Sequence, residues 1–171
     1  FNTLMGFAGG IIGAYFITKD PFWMMSGALA GIFCAAAGLD LWYPGTAFAL
    51  GFLGGVVIPY AHKMITSWGI DDAVGAVSVH GVCGLIGVLA VGVLLCGYPS
   101  LTEGGPTISF TGQLVGAIAM GLGGFIPGYF VSWILNKCGI LRTSDAVQQI
   151  GVDAEIPVAA YPENLQSRDY S

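Results

Sequence analysis

Two kinds of ionisable group stand inside an otherwise apolar stretch of this chain. Gly69-Ile70-Asp71-Asp72 is followed by Ser78-Val79-His80-Gly81-Val82-Cys83-Gly84. Either Asp71 or Asp72 suits the N-terminus of a helix, where a carboxylate accepts from otherwise unpaired backbone N–H groups. The alternative is a membrane-edge anion that draws cations into a vestibule. His80 follows this pair by eight to nine residues, which in an α-helix places it ~12 Å further along. An imidazole at that depth is costly unless paired, and an intramembrane ionisable group is first a functional hypothesis. The competing reading is a hydrogen-bonded packing histidine. Gly81 and Gly84 leave room beside it for a partner or a small solute. No nucleophile–base pair, metal-ligand cluster or phosphate loop accompanies it, so the reading is not an enzyme, and neither metal nor cofactor is expected. His62 lies beside Lys63 at a helix end, where a basic residue favours the C-terminus.

The elements that must position these groups are apolar helices. Of 171 residues, 55% are hydrophobic and 9% charged, against roughly 25% charged in a soluble domain. Charge this scarce cannot cover a soluble surface, and the apolar content excludes disorder. Five Lys+Arg and a net charge of −5 exclude a nucleic-acid binder. Breaks at Asp20-Pro21, Tyr43-Pro44-Gly45, Ser67-Trp68-Gly69 and the stretch from Tyr98 to Pro106 divide the chain. They leave five predicted spans near 1–17, 22–40, 46–65, 73–97 and 112–136. Residues 1–138 thus form a five-helix membrane bundle, and 139–171 a polar tail. All five basic residues, Lys19, Lys63, Lys137, Arg142 and Arg168, fall on one side of this arrangement. That side is expected to be cytoplasmic, with the N-terminus outside. The tail is expected to be irregular, with Asp153 and Glu155 reaching Lys19 and Lys63.

The 28 glycines are patterned. Gly6-xxx-Gly10, Gly9-xxx-Gly13, Gly27-xxx-Gly31, Gly51-xxx-Gly55, Gly112-xxx-Gly116 and Gly124-xxx-Gly128 put small residues on single helix faces, which lets backbones approach. Clearance of a narrow pathway is the other reading. The four cysteines have no CxxC spacing and read as small membrane-core residues. A chain opening on Phe1 is expected to be a processed product or a piece of something longer.

Ile70-Asp71-Asp72 and Val79-His80-Gly81-Val82-Cys83-Gly84 together resemble the ammonium transporter family (Amt, Mep and Rhesus proteins), on its Amt side. Phe1-Asn2-Thr3, Ser26-Gly27-Ala28-Leu29-Ala30-Gly31, Gly151-Val152-Asp153 and Ala159-Ala160-Tyr161 extend the resemblance along almost the whole chain. It implies an all-α polytopic membrane protein whose five spans match spans seven to eleven of an eleven-span fold built from two inverted halves. It also implies a trimer, one pathway per subunit, and a pair of hydrogen-bonded histidines, of which His80 matches the second. Ala73, Ala76 and Val77, one or two turns before His80, become candidates for the apolar wall of that pathway. The implied partners are the lipid bilayer, an N-terminal half or other membrane subunits, and a PII-type regulatory protein at the cytoplasmic face of a cell membrane. The chain departs from the family at Ala35-Ala36-Ala37, where a Thr-Pro is common, at the charged Asp40, and at Ile156-Pro157-Val158-Ala159, where the family has a polar His-Gly-Glu step.

Two functions follow. One is ammonium or ammonia transport through a histidine-lined pore. The other is a non-transporting structural or sensory subunit of a larger membrane complex. Because only one wall of the pathway is encoded, the chain alone is expected not to transport, and the glycine faces of its first three spans to lack partners.

Overall fold

A computed structural model describes residues 1–99 and 103–150. Every regular element among them is helical. In order they are α1 (Asn2–Thr18), α2 (Pro21–Ala36), α3 (Pro44–Ser67), a π-helical turn (Val77–Val82) running into α4 (Cys83–Leu94), α5 (Phe110–Lys137) and the short α6 (Asp145–Ile150).

The breaks act through identifiable chemistry. Lys19 ends α1 in the left-handed conformation, at φ 54°. Asp20 then caps α2, its carboxylate accepting from the Phe22 N–H at 2.9 Å, with Pro21 in the first turn. Pro has no N–H to leave unpaired there. α2 stops at Ala36, short of the expected residue 40. The chain turns back at this point, and the Trp42 indole N–H donates to the Ala35 carbonyl at 2.9 Å. The fourth span begins at Val77 rather than 73, because Asp72–Gly75 forms a tight turn with Gly75 at φ 73°. α3 and α5 run through Pro59 and Pro127.

Three of these segments are long and apolar enough to cross a membrane: Pro44–Ser67, Val77–Leu94 and Phe110–Lys137. α1 and α2 are apolar but have 17 and 16 residues. At 1.5 Å per residue each is ~25 Å long, below the ~30 Å of a hydrocarbon core.

The described chain divides into two units, Phe1–Gly121 and the residues from Leu122 onward. In the first, α1 packs on both α2 and α3, and α2 also packs on the π-turn and α4. Glycine makes this possible. A Cβ on Gly10 would meet the carbonyl oxygen of Gly27, and one on Gly55 the carbonyl oxygen of Gly10. The glycine faces of the first three helices therefore meet each other. The expectation that they lack partners is corrected, since three apolar helices with small faces can close on themselves. Ala30, Cys34, Leu50, Ile58, Val79 and Cys83 lie in the core so formed. Cys34 and Cys83 are fully buried there, whereas Cys96 and Cys138 are exposed. At one end Asn2 donates to the carbonyls of Leu39 and Trp42, at 2.8 and 2.7 Å, tying the start of α1 to the α2–α3 turn.

In the second unit, Phe125 stacks on Tyr129 and Phe130 on Trp133 along the end of α5, and Lys137 Nζ lies 5.9 Å from the Trp133 ring centre. Six residues of the expected irregular tail form α6, steadied by Gln148 Nε2 donating to the Thr143 carbonyl at 2.7 Å. Asp153, Glu155 and the rest of the tail lie outside the described residues.

Candidate functional site

Of the two acidic residues, Asp72 is the one built into the fold. It is 4% exposed. Its Oδ1 accepts from the Val77 N–H at 2.9 Å, and its Oδ2 from the Ser78 N–H at 3.1 Å and the Ser78 hydroxyl at 2.8 Å. The carboxylate thus receives the first free donors of the π-turn, the role expected for one of the pair. Asp71 is exposed and makes no side-chain hydrogen bond among the described residues. Burial pushes the Asp72 carboxyl up. The Val77 and Ser78 donors, with a smaller contribution from nearby His62, outweigh it and hold the group below its ordinary value.

His62 is the partner that sequence reasoning missed. It sits near the end of α3, and its Nδ1 lies 3.9 Å from Asp72 Oδ2. That nitrogen is buried without a hydrogen-bond partner among the described residues. Trp23, from the first turn of α2, sets its ring edge-on against the imidazole at 5.0 Å between centres. The contact is non-local, and residue spacing carried no sign of it. The earlier reading of His62 as a simple favourable charge at a helix end is thereby extended.

His80 lies in the π-turn, only three residues after its start, so the ~12 Å depth expected from a helix beginning at residue 73 does not hold. Its ring packs on Phe33 of α2 at 4.2 Å between centres. It is exposed, and it makes no side-chain hydrogen bond among the described residues. Val77, one π-turn neighbour before it, is 47% exposed, and Ala76 is exposed as well. Ala73 does not share this face as a helical residue. It belongs to the Asp72–Gly75 turn, so of the three residues expected to line a wall, Ala76 and Val77 are the two on the helical segment of His80. Phe33 takes a place beside them that no feature of Ile32-Phe33-Cys34 announced. Behind this face Ser78 and Val79 are buried, and Cys83 is locked between Cys34, whose thiol donates to its carbonyl at 3.3 Å, and α3. π-turns are uncommon and recur at functional sites.

The arrangement is an imidazole on an open, apolar, small-residue face, with its turn pinned at the other end by a buried carboxylate. It can offer one donor and one acceptor nitrogen to an uncharged polar solute or to a second imidazole. No group of three or more His, Cys, Asp or Glu able to hold a metal occurs among the described residues.

The Ammonium Transporter Family model matches residues 1–160. Ammonium transporter Amt1 of Methanocaldococcus jannaschii is 34% identical over 166 residues, which cover 94% of this chain and 41% of that protein. Ammonium transporter Amt2 of the same organism is 32% identical, over 95% of this chain and 39% of that protein. Ammonium transporter Amt2 of Archaeoglobus fulgidus is 30% identical, over 94% and 38%. The chain therefore spans about two fifths of the length of the relatives it matches. No solved structure matches it. With helices apolar and long enough to cross a bilayer, this is an integral membrane protein, and it belongs to the ammonium transporter family.

Proposed function

We propose that the chain forms the C-terminal half of an ammonium transporter and supplies one wall of its pathway. One observation carries this reading. His80, the ionisable group at the heart of an apolar segment, presents its ring on an open face beside Phe33, Ala76 and Val77 rather than in the helix core. A packing histidine would be expected among buried partners. An imidazole on an open face is placed to meet a second wall.

The chemistry follows. Ammonium is a small, strongly hydrated cation, and moving it through a dry pore is expensive. Giving its proton to water at the entrance leaves ammonia, which a neutral imidazole can pass along by one donor and one acceptor, and an imidazole can also relay the proton. In this reading five helices cross a cell membrane, α1 and α2 reaching across with their flanking turns. The N-terminus lies outside, and Lys19, Lys63 and the tail lie in the cytoplasm. The opposing wall comes from an N-terminal half or from another membrane subunit. The assembly is a trimer, with a PII-type protein as a cytoplasmic partner.

The test is methylammonium uptake and ammonium-driven current in proteoliposomes holding this chain together with a family N-terminal half. His80→Leu should abolish or alter proton-coupled uptake while the helical content stays the same. Unchanged uptake and current would remove His80 from the pathway, and no uptake by the unmutated pair would favour a non-transporting subunit.

A further inference from the structure

At the end of the bundle opposite Asn2, three residues from three elements meet: Trp23 from α2, His62 from α3 and Asp72 from the turn before the π-helix. The His62 Nδ1 faces Asp72 Oδ2 at 3.9 Å, too far for a hydrogen bond, and is buried with no other acceptor or donor to meet among the described residues. A buried, unsatisfied ring nitrogen costs stability and calls for a reason. The atom it faces already holds the first turn of the segment that carries His80.

We propose that His62 is a positioning residue for the pathway: its protonation closes the gap to Asp72, and through Asp72 it sets the turn on which His80 rides. The proposal rests on the reading of His80 as a pathway residue. The neutral imidazole leaves Nδ1 unpaired. The imidazolium carries a proton on both nitrogens and donates one to the carboxylate. Oδ2 already accepts two bonds from Ser78, so the new donor draws the carboxylate towards α3 and tightens the link between α3 and the π-turn.

The acid–base surroundings are simple. Asp72 is the one acid within 4.0 Å of the imidazole among the described residues. α2 contributes Trp23, which does not titrate, with Asp20 at its cap, and α1 ends at Lys19. Lys63 is the next residue on α3 and Asp71 the next in the turn. The π-turn contributes Ser78 and His80, and α4 begins at Cys83. None of these forms another ion pair with His62.

Two measurements test the proposal, and the first needs no transport. An imidazolium beside an indole quenches its fluorescence. The full chain in nanodiscs should lose tryptophan emission reversibly as pH falls from about 8 to about 5, the range in which histidine changes charge. His62→Gln and Trp23→Phe should each remove that step, and His80→Leu should keep it. Over the same range, protection of the Val77 and Ser78 amides against hydrogen exchange should rise roughly two- to fivefold, as a partly exposed ion pair allows, and should not rise in His62→Gln. A step that survives His62→Gln, or protection that ignores pH, overturns the link. The second measurement is the pH profile of methylammonium uptake with the other half present. His62→Gln should flatten the acid-side change, and His62→Lys, charged throughout, should hold the acid-side rate up to alkaline pH. A profile unmoved by either variant overturns the role in transport. Should uptake prove independent of His80 while the emission step stands, the pathway reading fails and the His62–Asp72 link does not.

Discussion

At the scale of single residues, Asp72 does the most work per atom. Its carboxylate satisfies three donors of the π-turn from a site almost closed to solvent. Asp72→Ala should destabilise the chain by about 2–3 kcal/mol, since it strands buried donors. Denaturant unfolding in detergent measures this. The group is held below its ordinary value in the folded chain, so its contribution is complete above about pH 4, the unfolded range, and fades as pH drops through the folded value. Asp72→Asn should therefore lower stability at neutral pH and lose this acid-side fall. His80 and the Asp pair were legible in sequence because an ionisable residue in an apolar run stands out by itself. Phe33, Trp23 and His62 were not, because their meaning lies in a neighbour on another helix.

At the scale of elements, glycine decides which helices touch. Gly87 lets α4 lie on α2: a Cβ there would stand 2.6 Å from the Cys34 carbonyl oxygen. Gly87→Val should cost about 1–3 kcal/mol through overpacking, seen as a lower unfolding midpoint. Gly84 is the contrast, since a Cβ there meets nothing within 4 Å. Gly84→Ala should leave the fold of this chain intact or firmer. If a second wall packs on that face, the same change should reduce uptake by the assembly, which an uptake assay on a well-folded variant would reveal. The helices themselves were readable from charge gaps and Pro-Gly breaks to within a few residues. Which helix each small face would meet was not, because periodicity names a face and not its partner. The π-turn was equally hidden, since six residues of one period look like six of the other.

At the scale of the molecule, the first unit has a core of its own, while α5 carries no buried residue along its 28 positions. A helix that apolar needs lipid or another surface around it. We expect the purified chain to insert and fold yet conduct nothing, because a pathway between two walls is not made by one. Robust His80-dependent current from the chain alone would refute this. Cysteine labelling should place Glu103→Cys on the side of the membrane opposite Lys63→Cys, and labelling of both from one side would break the proposed topology.

The π-turn has one more implication. Such a turn is an α-helix carrying a single surplus residue, the Cys83 N–H reaching back to the Ser78 carbonyl. The surplus acts as a phase adjuster. It lets Cys83 and Gly87 stay in step with α2 while the preceding residues rotate, so that His80 swings out to the open side. Excising Gly81 would restore plain α-helical phase. With α4 anchored, everything ahead of the cut would turn by about 100°. The bundle could survive that edit with its seams intact while the imidazole loses its bearing, so orientation here is stored in residue number as much as in residue type.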